Sequence, residues 1–115
     1  MKRSNLAVAS RVPVSLDLDR LQESATHAAT LLKVMANPSR LIILCQLAEG
    51  EKSVGELEGV VGLSQSALSQ HLSVLRQQEV VTTRRSAQSI IYSLASGEVQ
   101  TIMVALHDVF CAGPR

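Results

Sequence analysis

At 115 residues the chain is one domain's worth of polypeptide, able to bury a modest core and little more. Its apolar share is 46%, with Tyr92 and Phe110 as the only aromatics, which points to a helical core of Leu, Val and Ala. A net charge of +1 weakens any argument from bulk electrostatics for an anionic partner, so any positive potential must be local. No run approaches the roughly 18 apolar residues that cross a bilayer, and no membrane partner is expected. Lys2 and Arg3 lead no apolar run, so a signal peptide is not expected and the cytoplasm is the expected compartment.

Residues 1–16, with Pro13 and a few charges, read as a flexible N-terminal arm. Asp17 or Asp19 then caps a first helix to about Ala36, with Leu21, Ala25, Ala28, Ala29, Leu32 and Met35 on its apolar side. Asn37-Pro38 is a restart, Asn as N-cap and Pro at the first helical position. The second helix, 39–49, carries Leu41, Ile42, Leu44, Cys45 and Leu47 and stops at Gly50. Ser53-Val54-Gly55-Glu56 is a capping box opening a short third helix, 53–61, and Gly62 suits its left-handed C-cap. A three-residue turn leads to Ser64, placed to cap a fourth helix. Residues 80–85 and 89–94 are rich in β-branched side chains and read as strands, with Ser86-Ala87-Gln88 as a hairpin between them. Ser96 opens a last helix to about Cys111, with Val99, Ile102, Met103, Leu106 and Phe110 at helical spacing.

Two short helices joined by a three-residue turn, followed by a hairpin, predict a mainly α fold with a small β-hairpin: a winged helix-turn-helix spanning 17–115. On the fourth helix Leu68, Leu72 and Leu75 face the core. Ser64, Gln65, Ser66, Ser69 and Gln70 point the other way with short or planar groups that donate and accept. Gln pairs bidentately with adenine in a major groove, and Ser suits bases or phosphates. In isolation such a face is as readily a solvated helix surface. Arg84 and Arg85 at the hairpin tip favour the DNA reading, since a wing there reaches a phosphate or a minor groove. Arg76 and Arg40 add to the local positive potential, while the acids Glu49, Glu51, Glu56 and Glu58 cluster elsewhere. The first and last helices carry more apolar surface than a small winged core needs. A two-fold homodimer through them is the natural use of it, and it presents two reader helices to a palindromic duplex.

The run LLKVMANPSRLIILCQLAEGEKSVGELEGVVGLSQSALSQHLSVLRQQEVVTTRRSAQSIIYSL, residues 31–94, resembles the ArsR/SmtB family of winged-helix repressors. The ANPSRL run, the VGEL turn, the reader helix and the Arg pair fall in family order. The resemblance implies an α1-α2-α3-α4-β-β-α5 homodimer, joined through α1 and α5, that holds operator DNA until an inducer loosens it. Metal-sensing relatives place thiolates in the third-helix segment, but here that stretch is Glu51-Lys52-Ser53-Val54-Gly55-Glu56-Leu57, with Ser53 in place of the first cysteine. Another metal class uses Asp, His, His and Glu along the last helix. Those positions hold Ser96, Glu98, Val109 and Ala112, so no metal and no cofactor are expected. His107 and Asp108 stand near the same helix end out of register and read as surface or dimer-seam groups.

Cys45 and Cys111 lie 66 positions apart, so any partnership between them belongs to the tertiary fold. Read from the residues alone, Cys45 on an apolar face is a small hydrophobe. Cys111, beside an Ala-Gly-Pro-Arg tail, is harder to assign to a core. A cysteine in the second helix and one ending the last, with the NPSRL and VFCA stretches, is similar to the persulfide-responsive branch of BigR/SqrR-type repressors. That resemblance implies DNA binding in the reduced form and release when reactive sulfur species link Cys45 and Cys111. The bridge would be a tetrasulfide or a disulfide. A thiophilic metal(loid) or a general oxidant acting on the same pair is the alternative. An enzyme is not expected, since the chain has no CxxC and no nucleophile with a base and a pocket.

Overall fold

The computed structural model describes residues 18–111, so the expected arm over 1–16, the Asp17 cap and the tail 112–115 lie outside the described residues. In chain order the elements are α1 (Leu18–Met35), α2 (Pro38–Ala48), β1 (Lys52–Ser53), α3 (Val54–Val61), α4 (Gln65–Gln77), β2 (Val81–Ser86), β3 (Ser89–Leu94) and α5 (Gly97–Phe110). The chain divides into two compact units within α1, residues 1–30 and 31–115. The first contributes one described segment, 18–30, all of it exposed, with Leu18 and Leu21 each 60% accessible.

Within the second unit α1 first buries side chains at Val34 and Met35. Asn37 caps α2 as expected, its side chain accepting from the Arg40 amide at 3.0 Å, with Pro38 in the first turn. The Ser53 capping box closes in both directions: Ser53 Oγ accepts from the Glu56 amide at 3.1 Å, and a Glu56 carboxylate oxygen accepts from the Ser53 amide at 2.8 Å. Gly62 ends α3 with φ 71°, the left-handed conformation that Gly adopts without Cβ strain. The core gathers Ile43, Leu44 and Leu47 of α2, Leu57 of α3, Leu68, Leu72 and Leu75 of α4, Tyr92 of β3, and Val99 and Met103 of α5.

Several expectations shift in detail. Ile43, not Ile42, is the buried isoleucine of α2, Ile42 being 46% exposed. Two adjacent isoleucines leave the helical register open by one position, and packing decides it. On α1, Leu32 is 55% exposed, and on α5 Phe110 is 78% exposed, so the predicted stripes are only partly core. The wing is a three-stranded antiparallel sheet in the order β1-β3-β2. Its third strand pairs Lys52 with Tyr92 and Ser53 with Ile91. The hairpin turn is two residues rather than three: Ser86 pairs with Ser89, leaving Ala87, at φ 57°, and Gln88.

Candidate DNA interface and thiol pair

Ser64 begins the reader helix by accepting from the Ala67 amide at 3.1 Å. Burial of Leu68, Leu72 and Leu75 fixes the rotation of α4 about its axis, so Gln65, Ser66, Ser69 and Gln70 are all exposed on its other side. Free amides and the positive end of the helix dipole lie at that same N-terminus, where a phosphate is favoured. After Gln78 the chain turns through Glu79 at φ 60°, with the Glu79 amide donating to Arg76 O at 3.0 Å and the Val80 amide to Leu75 O at 2.9 Å. That left-handed turn redirects the chain into β2.

Arg84 and Arg85 are strand residues one step back from the turn, paired with Ile91 and Ile90. Adjacent strand residues point to opposite faces, so the two arginines diverge. Both are exposed, but Arg84 has a partner already. Its guanidinium donates to both carboxylate oxygens of Glu51, with Nη2 bonding Oε1 and Nε reaching Oε2 at 3.4 Å. Arg84 shares a row with Ile91 and Ser53 across the sheet, and Glu51 lies two residues ahead of Ser53. This corrects the reading of Glu51 as an acid remote from the wing. The guanidinium holds the Glu51 carboxyl below the ordinary carboxylate range, chiefly through the hydrogen bond. Arg40 also has an internal role: Nε donates to Val34 O at 2.5 Å, capping the end of α1, and Nη1 lies 3.5 Å from His71 Nδ1.

The two thiols line a common cavity formed by residues of α2 and α5. Cys45 is half-buried and Cys111 exposed, both free. They line one apolar cavity of about 350 Å³, whose walls include Leu41, Met103, Leu106 and Phe110. Burial pushes the Cys45 thiol above its usual range, and the charges of Cys111 and Glu49 push it further. Cys111 is the C-cap of α5, its amide donating to His107 O at 2.8 Å. Gln100, which the sequence did not mark, ties the two walls together by donating from Nε2 to Ala48 O at 3.2 Å. His107 reaches the cavity edge, 3.9 Å from Asp108. Among the described residues no three His, Cys, Asp or Glu side chains stand together as metal ligands. Ser53 and Ser96 serve as the N-caps of α3 and α5. No single described helix is long and apolar enough to cross a membrane.

A family described as bacterial regulatory protein, arsR family, matches residues 37–83, from the α2 cap into the wing. A transcriptional activator HlyU of Vibrio cholerae is 47% identical over 96 residues, covering 84% of this chain and 89% of that protein. A biofilm growth-associated repressor of Agrobacterium fabrum is 45% identical over 97 residues, covering 84% and 83%. The crystal structure of the transcriptional repressor BigR from Xylella fastidiosa superposes with a TM-score of 0.76 at 41% identity, covering 85% of this chain and all of that one. These proteins are transcription regulators, not enzymes. The chain belongs to the arsR family of winged helix-turn-helix DNA-binding regulators, on the branch that includes BigR.

Proposed function

We propose that this protein is a dithiol-switched transcriptional repressor that holds double-stranded operator DNA when reduced and releases it when reactive sulfur species link Cys45 to Cys111. The observation that carries this reading is the single cavity lined by both thiols, between the helix that packs on the reader and the helix that packs on the wing. Ser64, Gln65, Ser66, Ser69 and Gln70 read the major groove, while Arg84 and Arg85 meet the flanking backbone. Leu32 on α1 and Val104, Val109 and Phe110 on α5 are large apolar side chains left exposed, and they suit a homodimer through α1 and α5 in the cytoplasm. Similar proteins carry both the word activator and the word repressor. Repression is proposed from the likeness to the biofilm growth-associated repressor and to the repressor BigR.

The chemistry balances with a persulfide as sole reagent. A thiolate attacks the outer sulfur of a low-molecular-weight persulfide, forming a protein persulfide and expelling the parent thiol. Exposure makes Cys111 the thiol a bulky donor reaches first. Attack by the other thiol on the protein-bound sulfur then gives a disulfide and expels hydrogen sulfide. A tetrasulfide consumes three persulfide molecules, leaving three thiols and one hydrogen sulfide. The test is intact mass and operator binding after anaerobic glutathione persulfide, glutathione disulfide, hydrogen peroxide or arsenite. Two added sulfurs bridging Cys45 and Cys111 with persulfide alone, matched by loss of DNA binding, is the expected result. Loss of two hydrogens with every oxidant makes the switch a general redox device. Stoichiometric arsenite retention dependent on both thiols makes it a metalloid sensor.

A further inference from the structure

We propose that Glu51 is a specificity-determining residue, an internal stand-in for DNA phosphate that keeps Arg84 of the wing engaged until the reader helix is seated on its operator. The inference rests on the reading above that Arg84 meets DNA. A carboxylate accepting two guanidinium N–H groups reproduces the fork geometry that Arg uses on phosphate. Glu51 makes that contact from just ahead of β1, a strand fixed to β3 by pairing of Lys52 with Tyr92 and Ser53 with Ile91. The acid is therefore supplied by the sheet that carries Arg84, not by a distant loop. Both side chains are about half accessible, 56% for Arg84 and 46% for Glu51, so a phosphate can reach the guanidinium and the exchange has no steric barrier.

Engaging phosphate requires breaking the pair and leaving a carboxylate beside the duplex. At the operator, base contacts from Gln65 and its neighbours offset that cost. On bulk DNA nothing does, and the wing stays latched. With Glu51 present, Arg84 contributes almost no net charge to counterion release. Glu51 stays ionised throughout the neutral range, because the hydrogen bond from Arg84 depresses its titration.

The experiment is fluorescence anisotropy of the dimer on operator and on a scrambled duplex across a salt series. Glu51→Gln should tighten scrambled-duplex binding roughly two- to fivefold at low salt. It should steepen the slope of log K against log salt by about 0.9 and narrow the operator preference. Glu58→Gln, removing the same charge from α3, should not do this. Unchanged or weaker binding by Glu51→Gln overturns the proposal, as does an equal gain from Glu58→Gln, which assigns the effect to net charge. Arg84→Ala separates the two layers. If it leaves operator binding unchanged, the wing reading itself falls. If it weakens operator binding while Glu51→Gln gains nothing on the scrambled duplex, only the Glu51 inference falls.

Discussion

Linking Cys45 to Cys111 closes a loop of 66 residues, running from mid α2 through the reader helix and wing to the end of α5. Loop-closure entropy for that length restricts the unfolded chain by about 4 kcal/mol. At about 2.1 cal/mol/K of unfolding entropy per residue, a chain of 115 residues gains about 4 °C in Tm per kcal/mol. The unstrained limit is therefore a rise of about 16 °C, from which native strain subtracts. Because both thiols line one cavity and Gln100 already fixes α5 to α2, strain should be modest, and a rise of at least about 10 °C is expected. The assay is calorimetry of reduced and bridged protein at equal protomer concentration, since the proposed dimer would make Tm concentration-dependent. Intact mass verifies the bridge, and dithiothreitol must restore the lower Tm. A bridged protein that melts at or below the reduced one refutes the reasoning, because the fold would then hold the sulfurs apart.

Three other perturbations check separate parts of the site. Gln65→Ala should weaken operator binding by about 1–3 kcal/mol while leaving scrambled-duplex affinity nearly unchanged, measured by the same anisotropy titrations. Cys111→Ser removes a negative charge that disfavours the Cys45 thiolate, so the midpoint of the Cys45 alkylation rate against pH should move down. Burial, the larger cause, remains, and the midpoint should stay above that of an exposed thiol. Glu79→Gly, at a left-handed position, should stabilise the fold by about 0.5–1 kcal/mol in urea unfolding.

The helices were legible because each carries local punctuation: Asn37-Pro38, the Ser53 capping box, Gly62, Ser64 and Ser96 act within three residues of themselves. Strand β1 was not. Two residues carry no periodicity, and Lys52–Ser53 is extended only because β3 offers a free edge. The Glu51–Arg84 pair spans 33 positions and follows from strand order, which no local pattern encodes. Arg40 looked like one more surface cation, yet its guanidinium closes the end of α1 through Val34 O. Glu79 and Ala87 adopt positive φ without the Gly or Asn that would announce it. The cysteines illustrate the limit most sharply: their separation along the chain says nothing of proximity, and only family likeness suggested the pairing that the shared cavity now supports.

Under the proposed switch, the position of the thiols gives a small covalent change a path to the reader helix and the wing. Ile43, Leu44 and Leu47 on α2 belong to the same core as Leu68, Leu72 and Leu75 on α4, and α2 packs directly against the reader helix. Helix α5 packs against β3, the central strand of the wing. A bridge from Cys45 to Cys111 thus joins the two elements that separately support the reader and the wing. Close-packed cores shift as units rather than deforming smoothly, so a rotation of α2 against α5 displaces one half of the DNA interface relative to the other. In a two-fold dimer the displacement acts twice, on reader helices that must meet half-sites about 34–36 Å apart. A hundredfold loss of affinity requires about 2.7 kcal/mol. The bridge imposes that difference without unfolding any element if it closes that much more favourably in a released arrangement of α2 and α5 than in the DNA-competent one.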